Sequence, residues 1–251
     1  MKVNKSNQFK LKTRSIIKTL KKHKDLPNET INFLIQNEKE YLALLKENIF
    51  LKKNINLDPK TKLLAYNPNY LTEIIKNISR FSTHTQGIIY PITFIRFDID
   101  NFSKINNVYG HKFGDQVLIS VAKLLKKNSR LTDYLIKFGG DEFDVILPGN
   151  NLKQSRIYLE KIFSKIKSID LKVKEKKIAK VTVSAGVSGR EYQIKPSQRI
   201  CSRQIKRDFE ELQVEADQAL YESKYLGKES LSFYSSEKKK EYSKIRKLYQ
   251  K

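Results

Sequence analysis

The stretch Phe138-Gly139-Gly140-Asp141-Glu142-Phe143 decides the fold, because it stands between the apolar runs 134–138 and 143–147. Two such runs around a glycine pair are typical of a β-hairpin, since glycine supplies the positive φ that a tight turn needs. Asp141 and Glu142 are then expected at the turn, beside two residues without side chains, where an anionic, metal-bound ligand can come close. Taken alone, the stretch fits an ordinary acidic surface turn equally well.

The composition narrows the class of protein but does not decide it. A chain of 251 residues holds one domain of ordinary size and an appendage, and its hydrophobic fraction of 39% is enough for a core. The net charge is +23, from 50 Lys and Arg against 27 Asp and Glu. This excess favours nucleotides, nucleic acid or an acidic membrane surface as partners. AT-rich coding would also enrich the chain in lysine, so it accounts for the positive charge equally well.

The sequence predicts a soluble, cytoplasmic protein. Its single cysteine, Cys201, allows no intrachain disulfide and no Cys/His metal cluster, which fits a reducing compartment. The basic N-terminus lacks the apolar region of a secretory signal. No uncharged apolar run approaches the roughly 20 residues that a membrane span needs.

We interpret residues 1–57 as a basic N-terminal helical segment. Residues 1–24 contain many lysines and no acidic residue, so they form either a solvated tail or a basic helix that lies on a membrane or a partner. Apolar residues over 31–51 recur at helical spacing. This second part is either a dimerising stalk or a helix packed on its own domain.

Alternating periodicities predict an α/β domain over residues 58–234, followed by a basic tail, 235–251, that is a solvated helix or disordered. We expect helices over 70–80, from Asp115 onward, around 159–166 and over 211–226, and strands over 88–99, 178–187 and 231–234. Residues 54–69 are expected to be a connector, 101–114 a polar loop and 189–207 an irregular segment. Pro91 indicates that the start of its strand is unpaired or at an edge, and Ser184-Ala185-Gly186 would let another element approach closely.

Three carboxylates are expected to converge if the strand ending at Asp98 neighbours the hairpin that carries Asp141 and Glu142. Mg²⁺ takes oxygen ligands, and one or two carboxylates suffice when phosphate oxygens complete its coordination. Phosphoryl transfer further requires positive charge around the phosphates. Lys224 and Lys228, one turn apart on a late helix, are candidates for this charge. Solvated surface lysines are the alternative.

Six blocks in order give the chain a resemblance to the GGDEF-domain diguanylate cyclases, which condense two GTP into cyclic di-GMP. The resemblance covers about residues 58–234 and implies an α+β (α/β sandwich) palm-like domain with a mostly antiparallel sheet flanked by helices. The blocks are Asp98-Ile-Asp-Asn-Phe, Asn106-Asn-Val-Tyr-Gly-His-Lys-Phe-Gly-Asp115, Arg130-Leu-Thr-Asp133, Gly139-Gly-Asp-Glu-Phe143, Val181-Thr-Val-Ser-Ala-Gly186 and Ala216-Asp-Gln-Ala-Leu-Tyr-Glu-Ser-Lys224.

The resemblance implies a metal and catalytic centre. Asp98 and Asp141 would be the metal carboxylates, joined by the backbone carbonyl of Ile99 and by Glu142. The cofactor would be Mg²⁺, with Mn²⁺ as an alternative. Asp141 or Glu142 would help to deprotonate the attacking 3′-hydroxyl, and the resemblance does not decide between them.

The resemblance also implies how GTP is bound. Asn106 and Asp115 would read guanine, because an aspartate accepts hydrogen bonds from both N1–H and the 2-amino group. Retention of Asp115 argues against the branch that makes mixed adenine–guanine dinucleotides. His111, in the same loop, would touch the substrate or hold the loop. The β- and γ-phosphates would be bound by the backbone of Asn101 and Phe102 together with Lys224 and Lys228.

Each domain would hold one GTP, so the reaction would need a homodimer with two domains face to face. The N-terminal helix would provide the dimer contact. Arg130 and Asp133 match an inhibitory product site for cyclic di-GMP, and arginine suits guanine and phosphate through its bidentate fork. A pair of this spacing is otherwise usually structural.

Some positions depart from the family pattern. Ser103 stands where the family has a lysine, with Lys104 one place later. Lys137 replaces an arginine, and the block that opens the domain is reduced to Asp58-Pro-Lys-Thr-Lys-Leu. Ser103 favours the alternative of an impaired module that binds GTP or cyclic di-GMP as a regulator. The residues that count against this alternative are the intact Asp98, Asp141, Glu142, Asn106 and Asp115. A basic nucleic-acid binder is the third hypothesis, but no nucleic-acid motif supports it, so no nucleic-acid partner is expected.

Overall fold

The structure, a computed structural model, describes residues 57–81, 88–169, 172–173, 176–177, 180–194 and 202–249. The chain divides into two compact units, Met1–Lys53 and Asn54–Lys251, and all of the described residues belong to the second. The predicted N-terminal helical segment therefore lies outside the described residues, apart from Leu57. Within the described ranges, no helix is long and apolar enough to cross a membrane.

Helices and strands alternate along the described chain. The strands are β1 (Leu64–Ala65), β2 (Ile88–Ile99), β3 (Tyr134–Lys137), β4 (Glu142–Pro148), β5 (Lys172–Val173), β6 (Lys176–Lys177), β7 (Val183–Ile194) and β8 (Leu231–Phe233). The α-helices are α1 (Tyr70–Phe81), α2 (Phe102–Tyr109), α3 (His111–Asn128), α4 (Leu152–Lys167), α5 (Ser202–Tyr225) and α6 (Lys239–Tyr249). A short 3₁₀ turn, Ser236–Lys238, precedes α6.

Six strands form one sheet in the order β1-β3-β4-β2-β7-β8, and β5 pairs with β6 in a separate ribbon. The central pairs β3–β4, β4–β2 and β2–β7 are antiparallel. The two edge strands, β1 and β8, run parallel to their neighbours. The mostly antiparallel sheet with flanking helices confirms the predicted α+β fold class, and the β3–β4 pair confirms the hairpin.

Helices cover both faces of the sheet. Alternate residues of β2 point to opposite faces, so Ile95, Phe97 and Ile99 join one core cluster with α3 and α4. Ile92 and Phe94 join the other cluster, with α1 and α5. Arg96 and Asp98 continue this second alternation, and they therefore face α5.

The sequence predicts α1, β2 and β8 well, but it misplaces segments whose structure depends on distant pairing. β1 lies within the expected connector, and the expected loop over 101–114 forms α2 and the start of α3. β7 starts at Val183 rather than Ile178, and the strand runs on to Ile194. Its polar end, expected to be irregular, forms a strand because it pairs with the first half of β2. β2 pairs with β4 only from Ile92 onward, which confirms that Pro91 lies in an edge portion.

Two local features fix helices at the margins of the domain. α4 begins with a capping box, in which the Asn151 side chain accepts from the Gln154 N–H and the Gln154 side chain accepts from the Asn151 N–H, both at 2.9 Å. α6 shows that most of the predicted tail is helical. Tyr242 on this helix is buried, stacks on Tyr234 with ring centroids 5.5 Å apart, and accepts the Ser235 N–H at its hydroxyl.

Gly186 on β7 explains the predicted close approach. A Cβ atom at this position would lie 1.9 Å from the carbonyl oxygen of Ala216 and 2.3 Å from the amide nitrogen of Leu220, both on α5. The backbone of α5 therefore rests directly on the sheet at Gly186. No residue with a side chain fits there without moving the helix.

The first prediction is that Gly186→Ala lowers the free energy of unfolding by about 2–3 kcal/mol, because overpacking at a rigid backbone contact costs this much. Urea denaturation of the purified protein measures the change. Gly140→Ala is the matched control, since a Cβ atom at Gly140 meets nothing within 4 Å. Equal stability of the two variants would contradict the close approach of α5.

Candidate active site

The structure brings the predicted carboxylates together at one end of the central strands. Asp98 on β2 lies directly opposite Glu142 on β4, so the two side chains project from the same face of the sheet. The Ile99 N–H donates to the backbone carbonyl of Asp141 at 3.3 Å. This pairing holds the end of β2 against the turn that carries Asp141.

A cleft of about 410 Å³ opens at this point. It contains three of the four predicted metal ligands, all but Glu142, and the predicted phosphate-binding residues, together with residues that the sequence reading did not place there. The lining residues are Asp98, Ile99, Asp100, Asn101, Phe102, Ser103, Lys104, Asp141, Tyr221, Lys224 and Lys228.

Asp98 and Lys224 form an ion pair inside the cleft. The Lys224 Nζ lies 2.8 Å from the Asp98 Oδ2, and the two side chains are only 23% and 10% exposed. Burial raises the pKa of Asp98 to about 6, although the hydrogen bond from Lys224 acts in the opposite direction. Burial acts to lower the pKa of Lys224, but its pairing with Asp98 raises that pKa overall. Without a ligand, Lys224 therefore neutralises a carboxylate that would otherwise be buried alone.

The donor atoms in the cleft fit a hard, oxygen-seeking cation. Asp98 and Asp141 supply carboxylates, Ile99 lines the same cleft, and the lining residues include no histidine or cysteine. Among the described residues, no group of three or more His, Cys, Asp or Glu side chains is arranged to hold a metal by itself. A site with so few protein ligands matches the preference of Mg²⁺, which fills its remaining positions with phosphate oxygens and water.

Asp100 is a buried carboxylate that the sequence reading missed. It accepts hydrogen bonds from the hydroxyls of Thr182 and Ser184, at 2.8 and 2.6 Å, and from the Glu229 N–H at 3.0 Å. Lys228 and Glu229 both adopt left-handed φ angles, of 66° and 49°. Asp100 thus holds a strained turn in place beside the cleft. The sequence did carry a signal for Asp100, because Asp98 and Asp100 flank the buried residue Ile99.

Lys228 reaches the N-terminus of α2. Its Nζ donates to the side-chain oxygen of Asn101 at 2.6 Å. Asn101 itself has a left-handed φ of 56° and immediately precedes Phe102, the first residue of the helix. Lys228, Asn101 and Phe102, predicted to bind phosphate together, are therefore neighbours.

The turn of the hairpin differs from its prediction in one respect. Neither Gly139 nor Gly140 has a positive φ, so the expected reason for the glycine pair is wrong. A Cβ atom at Gly139 would lie 2.7 Å from a carboxylate oxygen of Glu142, which means that the missing side chain makes room for this carboxylate. Burial raises the pKa of Glu142, with Arg96 acting in the opposite direction.

Lys137 stabilises the same turn. Its ammonium group donates to the backbone carbonyls of Gly139, of Gly140 at 3.0 Å and of Glu142 at 3.2 Å. A lysine has three donors on one nitrogen, and here the nitrogen contacts three carbonyls of the turn. Lys137, which stands where the family has an arginine, therefore makes defined structural contacts with the backbone of this turn.

The predicted guanine-reading residues lie on two helices that meet near Gly110. Asn106 is on α2, and a Cβ atom at Gly114 on α3 would lie 1.9 Å from its Oδ1. The Asn106 side chain thus lies against the residue that precedes Asp115. Asp115 forms an exposed ion pair of 2.7 Å with Lys60. His111 is exposed and is the first residue of α3, so its expected position in a loop is wrong.

Arg130 and Asp133 lie before β3, at the other end of the hairpin from the glycine pair. Asp133 is buried and accepts the Arg130 N–H at 2.6 Å. The Arg130 guanidinium donates to the side chain of Asn150 at 3.0 Å. Asp133 therefore has a structural role in the turn, whereas the Arg130 side chain is exposed.

Ser103 and Lys104, the departure that favours an impaired module, are both exposed and both line the cleft. A basic residue, Lys104, therefore borders the cleft one residue beyond the expected position. A buried pair, Arg96 and Asp144, was also missed, although each of these residues interrupts an apolar run. Two opposite charges in neighbouring strands were the available signal for this pair.

Comparisons with known proteins agree with this architecture. The family model "Diguanylate cyclase, GGDEF domain" matches residues 55–230. Diguanylate cyclase A of Treponema denticola is 32% identical over 80% of this chain and 55% of its own length. Diguanylate cyclase DosC of Escherichia coli is 27% identical over 87% of this chain and 45% of its own. YtrP, an uncharacterized protein of Bacillus subtilis, is 31% identical over 74% and 28%.

The chain spans between about a quarter and just over half of the length of these relatives. Among solved structures, the GGDEF domain of DgcB from Caulobacter crescentus in complex with c-di-GMP is 25% identical, with a TM-score of 0.57, over 70% of this chain and 94% of that one. Diguanylate cyclase SiaD of Pseudomonas aeruginosa, solved with its activator SiaC, shares the fold at 24% identity and a TM-score of 0.55, over 91% and 81%. A family match over most of the chain, carried by this fold, shows that the protein belongs to the GGDEF-domain diguanylate cyclase family.

Proposed function

We propose that this protein is an active diguanylate cyclase, which condenses two GTP into cyclic di-GMP with release of two pyrophosphates. The observation that carries the proposal is the cleft in which Asp98 and Asp141 face Lys224 and Lys228 at the N-terminus of α2. Carboxylates for a cation and ammonium groups for phosphates are the parts that phosphoryl transfer requires. We also propose that the protein is cytoplasmic, as its sequence predicts.

The β- and γ-phosphates of GTP would lie between α5 and the start of α2. The first N–H groups of a helix have no partner within it and attract anions. Lys224 would exchange its contact with Asp98 for phosphate oxygens, and Lys228 would add a second cation. Ion pairing in the absence of ligand keeps Lys224 close to its place of action.

Asp98, Asp141 and the Ile99 backbone would hold Mg²⁺, or Mn²⁺ in its place. When bound, the metal supplies positive charge that stabilises the phosphates and eases ionisation of the attacking hydroxyl. Asp141 or Glu142 would accept the proton of the 3′-hydroxyl. The raised pKa of Glu142 suits this role, because a general base is most effective when its pKa approaches the working pH.

The guanine base would be read by Asn106 and Asp115, with His111 at the start of α3 touching the substrate or holding this region. Each cleft would hold one GTP, so two domains would have to face each other in a homodimer. The N-terminal helical segment would bring the two domains together. Binding of cyclic di-GMP by the similar domain of DgcB supports a product-binding surface in this protein.

An impaired module that binds GTP or cyclic di-GMP as a regulator is the second candidate. Ser103 favours it, because the cleft lacks a cation at that position. Lys104 counts against it, since this basic residue is among those that line the same cleft.

The second prediction is that the purified protein converts GTP to cyclic di-GMP in the presence of Mg²⁺, and that chelation of the metal stops the conversion. Asp141→Asn should lower the rate at least 100-fold, because the amide keeps the shape but loses the charge that binds the metal. Chromatography of the reaction measures the product. Specific activity should rise with protein concentration if a homodimer is the active species.

Glu210→Gln is the matched control, since this exposed carboxylate lies on α5 about 21 Å along the helix from Lys224. It should leave the rate within about twofold. GTP that remains intact at high protein concentration, while still binding, would support the regulatory module instead.

The third prediction concerns Lys104, which lies one place after the position where the family has a lysine. Lys104→Ala should lower kcat about tenfold or more, because the removal of a charge that stabilises the transition state costs this much. Ser103→Lys in the Lys104→Ala background should restore most of the loss. Steady-state kinetics with GTP measure both. Lys123→Ala, which removes an exposed lysine on α3, should change little, and an unaffected Lys104→Ala enzyme would remove Lys104 from the site.

The fourth prediction is that Arg130→Ala relieves inhibition by cyclic di-GMP and leaves initial rates within about twofold, because Arg130 lies away from the cleft. Initial rates across a series of product concentrations measure the effect. Arg203→Ala, an exposed arginine at the start of α5, is the control. Unchanged inhibition would exclude Arg130 from a product site.

A further inference from the structure

Phe138, the residue immediately before the glycine pair, is held between two side chains. The guanidinium carbon of Arg96 lies 3.8 Å from the centroid of its ring. The ring of Tyr66 meets it edge-on, with centroids 5.0 Å apart and planes at 86°. Both geometries are favourable, as a cation–π contact and as a T-shaped aromatic pair.

Arg96 is itself fixed in position. It is buried on β2, and its Nε and Nη2 donate to the two carboxylate oxygens of Asp144 at 2.8 and 2.9 Å. Asp217 on α5 lies 3.6 Å from its Nη1. A bidentate pair of this kind leaves the guanidinium plane little freedom to rotate. The surface on which Phe138 rests is therefore rigid.

Tyr66 is tied to the same group of residues from the other side. Its hydroxyl donates to the Oε1 of Gln213 at 3.3 Å, and the Gln213 side chain lies close enough to Asp144 to act on the pKa of that carboxylate. Phe138, Arg96, Asp144, Gln213 and Tyr66 thus form a closed ring of contacts, which we call the Phe138 clamp. Tyr66 belongs to the segment between β1 and α1, so the clamp joins this segment to the catalytic hairpin.

The clamp acts on the part of the hairpin that cannot position itself. Gly139 and Gly140 have no side chains to pack, so the place of the turn depends on Lys137, which donates to both of their carbonyls, and on the residues at its two ends. At one end the Phe138 N–H donates to the carbonyl of Glu142 at 3.2 Å. At the other end the Asp141 carbonyl accepts the Ile99 N–H. A shift of the Phe138 ring would therefore move Asp141 and Glu142.

The clamp also shares a rigid element with the phosphate-binding lysine. Asp217 and Lys224 are seven residues apart on α5 and thus lie on the same face of the helix. They pair with Arg96 and Asp98, which are two residues apart on the same face of β2. The position of Lys224 and the position of the turn that carries Asp141 and Glu142 are consequently both set by β2 and α5.

We propose that Tyr66 and Arg96 are positioning residues, which hold Phe138 and thereby place Asp141 and Glu142 for the reaction. This inference rests on the proposed cyclase function. Neither residue is among those that line the cleft, so their loss should affect the chemical step more than GTP binding. Displacement of reacting groups by about 1 Å is enough to cost roughly 100-fold in rate.

Tyr66 gives the cleaner test, because it is 41% exposed and its removal should leave the domain folded. Tyr66→Ala should lower kcat between about 10- and 100-fold, with the KM for GTP changed less than about threefold. Tyr66→Phe keeps the ring against Phe138 and loses only the hydroxyl, so it should retain at least half of the activity. Arg96→Lys keeps the charge but loses the planar fork, and its kcat should fall at least as far as that of Tyr66→Ala.

Amide hydrogen exchange provides a readout that does not depend on activity. Residues 138–142 should exchange about tenfold faster in Tyr66→Ala than in the wild type or in Tyr66→Phe, because the turn has lost one side of the clamp. Tyr234→Ala is the matched control. It removes an aromatic pair with Tyr242 beside β8, at the edge of the sheet opposite β1, and should leave both the exchange of 138–142 and kcat unchanged.

The outcomes separate the two proposals. If the wild type makes cyclic di-GMP, but Tyr66→Ala keeps its kcat and the turn exchanges at the wild-type rate, the clamp has no positioning role. If Tyr66→Ala changes KM and kcat equally, Tyr66 contributes to binding and the inference is also wrong. If the wild type does not turn over GTP while exchange of the turn still responds to Tyr66→Ala, the cyclase function fails and the structural clamp stands.

Discussion

The close approach of α5 to the central sheet is the constraint on which the site depends. Only the absence of a side chain at Gly186 allows the backbone of α5 to rest on β7. At that distance Lys224 reaches Asp98 and Asp217 reaches Arg96. A helix displaced by the width of one methyl group would take Lys224 away from Asp98 and leave Arg96 with Asp144 alone. A buried charge without its partner is strongly destabilising.

This packing gives the cleft a balanced charge before any ligand arrives. Asp98 is buried enough for its pKa to rise to about 6, yet it lies beside a lysine of the opposite charge. Such a pair adds little net stability by itself, since desolvation offsets much of the attraction. Its value in this site is that both groups are held where a cation and a phosphate would replace them as partners.

Departures from the family pattern acquire physical meaning once the contacts are known. Lys137 donates to three carbonyls of the turn, where the sequence suggested only the loss of an arginine fork. Lys104 lines the cleft beside Ser103. At both positions the residue that carries the positive charge differs from the family pattern, but the charge stays near its expected place.

The sequence by itself determined the hairpin through local periodicity, and the α+β fold class and the candidate carboxylates Asp98, Asp141 and Glu142 through the resemblance that its short motifs carry. It also placed β2 correctly, since an apolar β-branched run forms a strand in most contexts. It could not place the polar end of β7, which is a strand only because β2 lies beside it.

Nor could local sequence show that Arg96 and Tyr66 meet at Phe138. Tertiary structure alone decided that contact, together with the partners of Lys224 and Asp100 and the absence of a positive φ at the glycine pair. The physical reason is the same throughout: these contacts join residues far apart in the chain. Their distances are set by the packing of α5 and the register of the sheet, which local sequence does not encode.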